Sequence, residues 1–483
     1  MASRTPSGGG PVGRPGRRIG DRRVRIERVK PQDYSVAAPS RIRKPPSPAV
    51  VLLIGFSLLI VAGSVLLAMP FASASGTSTN LLVAVFTATS AVCVTGLVLV
   101  DTATYWSPFG QAVILALVQI GGFGFMTGST LLLFLLAGRR TALRDRLLAQ
   151  ATTDTPNLGA VGPLIRRVGA FTLIVEAVGA VVLTLLFMAR GEQPLHAGIS
   201  GVFHAISAFN NAGFDLTGDF RSLTGYVDDA PVLLAIAAVF ILGALGFAIV
   251  GDIATKRQWA RLALETKVVV LTTAALLVGG AVMIGIFEWT NPRTLGELAT
   301  HDKVVNAFFT SATRTAGFNS IPTEHLLEIS LLILIPLMFI GGASGSTAGG
   351  IKVNTFSLLL IAIVSTARGL PSAIAFGRRI PHIVVYRAIA VALLSIAVVF
   401  VVGLGLELTA GGRLIDRAFE AVSALGTVGL STGLTRQVED PARILLVVAM
   451  FVGRLGPLTL VLALTSRAHS VSSRPAVETM RIG

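Results

Sequence analysis

Charge is scarce in this sequence. Asp, Glu, Lys and Arg make up 13% of its 483 residues, about half the share of a soluble domain, so no large water-exposed domain fits. Cysteine is nearly absent. Cys93 alone cannot form an intramolecular disulfide and says little about compartment. Histidine is thin as well: the six, at 196, 204, 301, 325, 382 and 469, show no metal-ligand spacing. Neither a Walker motif nor a dinucleotide fingerprint is present. A secretory leader is not expected, because the first apolar run begins near residue 49, and the Ala72-Ser73-Ala74 triplet behind it only mimics a cleavage site.

Apolar residues are abundant, at 53% of the chain with a mean hydropathy of +0.76. A helix needs about 20 of them in a row to cross lipid. Runs at 49–69, 168–188, 231–250 and 383–407 reach that length, so the bulk of the chain is expected in the bilayer. The formal net charge of +15 forms no nucleic-acid-binding stripe, since the basic residues gather between the apolar runs. Residues 1–48 hold twelve Lys and Arg against three acidic residues among many Gly and Pro. That composition predicts a disordered cytosolic tail, whose sharper use would be contact with anionic lipid or a cytosolic partner.

Beyond the tail one arrangement occurs four times: a long apolar segment, a short one bearing Ser, Ala and Gly, and a second long one. The spans read 49–70, 80–96 and 108–137; 163–189, 198–213 and 230–251; 266–287, 303–317 and 327–366; 382–407, 414–429 and 441–466. The repeats are thus 49–137, 163–251, 266–366 and 382–467, with a cytosolic tail at 468–483. Each short member is too short to cross and reads as re-entrant, and non-helical backbone at that depth is tolerated only beside a cavity. Ser90-Ala91 leads Gly96 by six residues, and Ser207-Ala208, Ser311-Ala312 and Ser423-Ala424 lead Gly213, Gly317 and Gly429 by the same step. Glycine pairs recur too, at Gly121/Gly124, Gly243/Gly246, Gly342/Gly345 and Gly453/Gly456. They suit close helix packing, or a hinge or constriction. The expected fold is an all-α membrane protein, with eight transmembrane helices and four re-entrant pore helices around a pseudo-fourfold axis.

Of the 40 Lys and Arg, 29 lie in the tails and the loops between repeats, 8 lie in the loops within repeats, and Arg314, Lys352 and Arg454 sit in or beside the membrane. The positive-inside rule then places both termini in the cytosol, and the short segments enter from outside. A short helix descending into the membrane aims its negative dipole end at the centre, which favours a cation. The residues returning outward can turn carbonyl oxygens to a common axis in place of the ion's water. Glycine tolerates the backbone angles this needs.

The segments Ser-Ala-Val-Cys-Val-Thr-Gly-Leu at 90–97, Phe-Asn-Asn-Ala-Gly-Phe at 209–214, Arg-Thr-Ala-Gly-Phe-Asn at 314–319 and Gly-Thr-Val-Gly-Leu at 426–430 resemble the four filter segments of the Trk/Ktr/HKT superfamily of potassium transporters. The resemblance covers roughly residues 49–467 and is closest to the Ktr-type membrane subunit, since no extra N-terminal pair of spans is present. It implies a filter of Val94, Thr95 and Gly96, Asn211, Ala212 and Gly213, Thr315, Ala316 and Gly317, and Thr427, Val428 and Gly429, with K+ held at backbone carbonyls. In the plant branch a Ser at the first filter glycine goes with sodium; Gly96 here favours K+, with Na+ a second candidate and no organic cofactor. The resemblance further implies a homodimer in a bacterial cytoplasmic membrane, seated on cytosolic nucleotide-binding regulatory subunits of the RCK/KTN type.

After residues 327–340 comes Gly341-Gly342-Ala343-Ser344-Gly345-Ser346-Thr347-Ala348-Gly349-Gly350. Each of its five glycines disfavours helix by about 1 kcal/mol relative to Ala, so the span should break mid-membrane. The resemblance makes this stretch, with Lys352, an intramembrane gating loop. Arg454 interrupts an apolar span at a cost of about 2.5–3.5 kcal/mol. It should face the cavity as a pore charge, or else pair with Glu176. Arg314, three residues before Gly317, should brace its loop through backbone carbonyls. Two other functions compete. A secondary transporter of another solute would want mid-membrane carboxylates, which are few. An intramembrane enzyme could use the Gly-x-Ser-Gly at 342–345, but no base lies within reach, His382 and His469 being off mid-depth.

Overall fold

The computed structural model describes residues 48–146 and 161–456. It opens on α1 (Pro48–Ala68), whose 21 residues carry no charge, followed by the short α2 (Leu81–Val92), the single turn α3 (Thr102–Tyr105) and the long α4 (Pro108–Arg146). The same order of long, short and long returns in α5 (Val161–Ala189), α6 (Pro194–Phe209) and α7 (Ala230–Lys256). It returns again in α8 (Leu264–Glu288) and α9 (Thr300–Ala312), after which the second long element is split into α10 (Glu328–Phe339) and α11 (Val353–Ala367). Last come α12 (His382–Thr409), α13 (Leu414–Gly426), the turn α14 (Leu434–Gln437) and α15 (Asp440–Leu455). A two-residue hairpin, β1 (Ile374–Ala375) with β2 (Arg378–Arg379), joins α11 to α12.

Among the described residues six helices are long and apolar enough to cross a bilayer, namely 50–68, 108–127, 165–189, 230–256, 264–288 and 382–409. Their outer faces are apolar: Leu58, Leu173, Leu393 and Phe400 are all more than 60% exposed, as side chains are when the surrounding solvent is hydrocarbon. The chain is therefore a multi-pass membrane protein. Eight spans were expected, with the second span of the third repeat broken, and two of the eight are not continuous long helices among the described residues. The 327–366 segment breaks at the glycine run, with Pro336 already inside α10 removing a backbone donor. The 441–466 segment is described only through α15, and its remainder, like the tails at 1–47 and 457–483, lies outside the described residues.

The four short helices run from the exterior to the centre. Asn80 caps α2 through Leu82 N–H at 2.8 Å, Pro194 opens α6, and Asp416 caps α13. Burial rises along each: Leu81 and Leu195 are exposed, whereas Ser90, Ala91 and Val92, like Ser207, Ala208 and Phe209, are fully buried. Phe86, Phe203 and Phe419 stand four residues before the serines of α2, α6 and α13 and wedge those helices into the core.

The repeated glycine pairs mark where long helices touch short ones. A β-carbon on Gly121, Gly243 or Gly453 would lie 2.1, 1.9 or 1.9 Å from the terminal carbonyls of Val92, Phe209 or Leu425. Gly342 breaks the series because its helix is broken, and it packs on Ala244 O instead. A kink in α7 at Gly246 (φ +73°) answers that break. It frees carbonyls 243 and 244, which accept from Thr347 N–H at 3.3 Å and Ala343 N–H at 2.8 Å of the glycine-rich loop.

Candidate functional site

Three of the short helices end in the same hydrogen-bonded turn. Thr95, Ala212 and Val428 donate N–H to Ser90 O, Ser207 O and Ser423 O at 2.7–2.9 Å, while Val94, Asn211 and Thr427 donate to the carbonyl three residues back. This is a Schellman motif, whose pivotal residue must be left-handed. Val94, Asn211 and Thr427 have φ of +56°, +58° and +47°. For the β-branched Val94 and Thr427 that costs about 1–2 kcal/mol each. The six-residue step from Ser to Gly is thus the length of one helix terminus plus one residue.

The serine also orients the next peptide. Ser90 Oγ accepts from Gly96 N–H at 3.0 Å and Ser423 Oγ from Gly429 N–H at 3.2 Å. In a trans peptide the carbonyl points opposite to the N–H, so the oxygens of Thr95 and Val428 are aimed away from the serines. The other two repeats differ. Ser207 Oγ has no partner, and Ser311 Oγ donates to Leu277 O of α8 at 2.8 Å. In the third repeat a 3-10 turn at Thr313–Thr315 replaces the left-handed residue.

The four turns meet in a closed ring. A β-carbon on Gly96 would sit 2.2 Å from Ala212 O, one on Gly213 2.7 Å from Ala316 O, one on Gly317 2.3 Å from Val428 O, and one on Gly429 2.2 Å from Thr95 O. Each glycine has positive φ, between +69° and +98°. Any side chain there would be strained and would enter the ring. Thr95, Ala212, Ala316, Thr315, Thr427 and Val428 are buried around it. Among the described residues no group of three or more His, Cys, Asp or Glu could hold a metal ion, so backbone oxygen is what the ring offers.

On one side the four glycines floor a cavity of about 230 Å3, walled by Asp101, Asp215, Asp219 and Glu324 together with Arg221 and Arg436. Arg436 pairs with Glu324 at 3.1 Å and covers the Phe220 ring. Burial pushes the Asp215 carboxyl above its usual range, against hydrogen bonds from Thr217.

On the opposite side of the ring lies the loop Gly341–Gly350. Its ends are pinched together, Gly341 N–H to Ile351 O at 2.8 Å and Ile351 N–H to Phe339 O at 3.1 Å. Gly349 lies so near the fourth turn that a β-carbon would fall 1.9 Å from Thr427 Oγ1. Lys352 Nζ donates to Ala348 O at 2.5 Å and Arg454 Nη1 to Thr347 O at 2.5 Å, and both cations lie over the Phe125 ring, at 4.9 and 4.4 Å from its centroid. Arg454 is 1% exposed. It makes no pair with Glu176, whose carboxylate instead accepts from Gln119 and Asn210 at 3.1 Å. Arg314 donates to Leu337 O and Ile340 O, bracing the break between α10 and the loop.

Several supports were not foreseen. Glu420, fully buried in α13, accepts from Ser431, Thr432 and Thr435 and so ties the outgoing fourth segment to its own helix. Glu288, also fully buried, gathers Asn291, Thr294, Leu327 and Ser330. A carboxylate on the apolar face of a short helix, with Ser and Thr some eleven to fifteen residues on, was the available signal for Glu420. Glu288 ends its helix and reads as an ordinary boundary.

Fold and site together define a multi-pass membrane protein in which four inward-pointing short helices present glycine turns to one ring. The family described as TrkH, cation transport protein, matches residues 51–472. The chain is 38% identical over 431 residues to the Ktr system potassium uptake protein B of Bacillus subtilis, covering 88% of this chain and 94% of that one. It is 38% identical over 436 residues to the potassium/sodium uptake protein NtpJ of Enterococcus hirae, covering 89% and 95%. The solved potassium transporter TrkH of Vibrio parahaemolyticus shares the fold, with a TM-score of 0.68 at 21% identity, over 88% of this chain and 86% of that one. This chain belongs to the TrkH cation transport family.

Proposed function

We propose that the chain is the pore-forming subunit of a potassium uptake system, and the closed ring of four glycine turns carries that reading. The repeats 49–137, 163–251, 266–366 and 382–467 surround one pseudo-fourfold axis, with eight crossings once the broken element and the last helix are counted. Val94, Thr95 and Gly96 with their three counterparts form the filter. Four helix C-termini lend partial negative charge, and the carbonyls of Thr95, Ala212, Ala316 and Val428 replace part of the hydration shell of K+. Relatives named for potassium uptake at 38% identity support this ion, and the relative named for potassium and sodium makes Na+ the second candidate.

Below the filter the loop Gly341–Gly350 with Lys352 acts as the gate, and Arg454 holds it while its charge limits cation occupancy beneath the ring. Arg314 acts as a brace. The pore sits in the cytoplasmic membrane with both termini in the cytosol, pairs with a second copy, and takes regulation from cytosolic nucleotide-binding RCK/KTN subunits. It performs transport and no bond-making chemistry.

Expression in a bacterium lacking its own potassium uptake should restore growth at limiting K+. Gly317→Asp, which places a carboxylate in the ring, should abolish the rescue while protein remains in the membrane. Rescue that survives the substitution contradicts the filter.

A further inference from the structure

The inner loop and the ring are linked by one pair of side chains. Asn211 is fully buried. Its amide nitrogen donates to Thr347 Oγ1 at 2.9 Å and Phe240 O at 3.1 Å, and its amide oxygen accepts from Thr315 Oγ1 at 3.0 Å. Thr347 Oγ1 donates in turn to Phe209 O, the end of α6, at 2.9 Å. Among the described residues this is the one side-chain to side-chain hydrogen bond between the loop and the four turns. The equivalent Val94 has no polar group, and the hydroxyl of Thr427 has no partner.

We propose that Asn211 and Thr347 form a latch that makes ion discrimination by the ring depend on the seating of the loop. The proposal rests on the pore reading above. Asn211 is the left-handed pivot of its turn, so its backbone angles direct the next carbonyl, Ala212 O, which lies against Gly96. Its oxygen holds Thr315, two residues before Gly317. One asparagine thus governs two adjoining members of the ring. Asn210 cannot follow it, being anchored behind the ring on Glu176 and Gln119 at 3.1 and 3.0 Å. When the loop withdraws, the Asn211 amide loses a buried acceptor. Phe240 O at 3.1 Å and Phe209 O at 3.3 Å remain as its acceptors, so the side chain settles toward that pair, taking the Ala212 carbonyl and the Thr315 hydroxyl bond with it. A withdrawn loop then opens a ring of altered shape, with weaker preference for K+ over Na+.

The test uses the full chain in liposomes, with K+ uptake measured against competing Na+. Thr347→Val removes the hydroxyl at nearly constant shape and should lower the preference for K+ about five- to tenfold. Thr347→Ser should keep it, and Asn211→Asp should match Thr347→Val. The double variant should be no worse than the poorer single. Thr347→Val with wild-type preference overturns the latch whatever its rate, as does an additive double variant. Should Asn211→Asp not reach the membrane, the Val and Ser variants at 347, which lie outside the ring, decide the question. A wild-type chain that moves no K+ overturns the pore reading itself, a separate result.

Discussion

Two serines hold the carbonyls of the ring in opposite corners of the sequence. Ser90 and Ser423 accept the N–H of Gly96 and Gly429, and without that acceptor the peptide between turn and glycine is free to flip. An unpartnered buried donor costs about 1–3 kcal/mol. Ser90→Ala and Ser423→Ala should therefore each lower K+ uptake against competing Na+ by about fivefold or more. Ser207→Ala, whose hydroxyl is already unpartnered, should leave that ratio near wild type. Flux assays on the three variants check the contrast. An equal loss in all three would mean that the serines serve packing alone. The six-residue step was readable because a helix terminus has a fixed length. The hydrogen bonds behind it were not, because the four serines look alike in sequence and only two of them reach a glycine.

At the scale of elements, the broken helix was the most legible feature and its consequences the least. Five glycines in ten residues cannot hold a helix in lipid, so a break at Gly341–Gly350 follows from composition. The partner of the break did not: α7 kinks at Gly246 so that carbonyls 243 and 244 can serve the loop. Sequence offers only the bare pair Gly243 and Gly246, which closer packing explains equally well. Seating also depends on Gly349. A methyl there would fall 1.9 Å from Thr427 Oγ1 and 2.7 Å from Gly426 O, and the backbone oxygen cannot yield. Gly349→Ala should push the loop off the fourth turn and raise uptake in liposomes that contain no regulatory subunit. The same substitution at Gly279, which has open space around it, should leave the rate unchanged. Gly349→Ala with a wild-type rate would remove the loop from the gating role.

For the molecule as a whole, the count of crossings was legible from hydropathy only where helices are continuous. The described part of the last helix carries Arg443, paired with Asp440 at the surface, and Arg454, which turns inward onto Thr347 O, a contact that no hydropathy window records. Orientation is a separate matter, because the fold would be the same upside down and only the charge distribution breaks the tie. With 29 basic residues in the tails and the loops between repeats against 8 in the loops within repeats, the face carrying the 191–193 and 410–413 turns should lie outside. Thiol labelling can read this directly, since the sole cysteine, Cys93, is fully buried and should leave the native chain silent. Glu297→Cys and Gly411→Cys, both at exposed positions, should react with a membrane-impermeant maleimide in intact cells. Gln258→Cys and Leu370→Cys, exposed at the opposite ends of the spans, should react only after permeabilisation. The reverse pattern would turn the ring's cavity toward the cytosol and the loop outward, and a gate on that side could not answer to a cytosolic regulator.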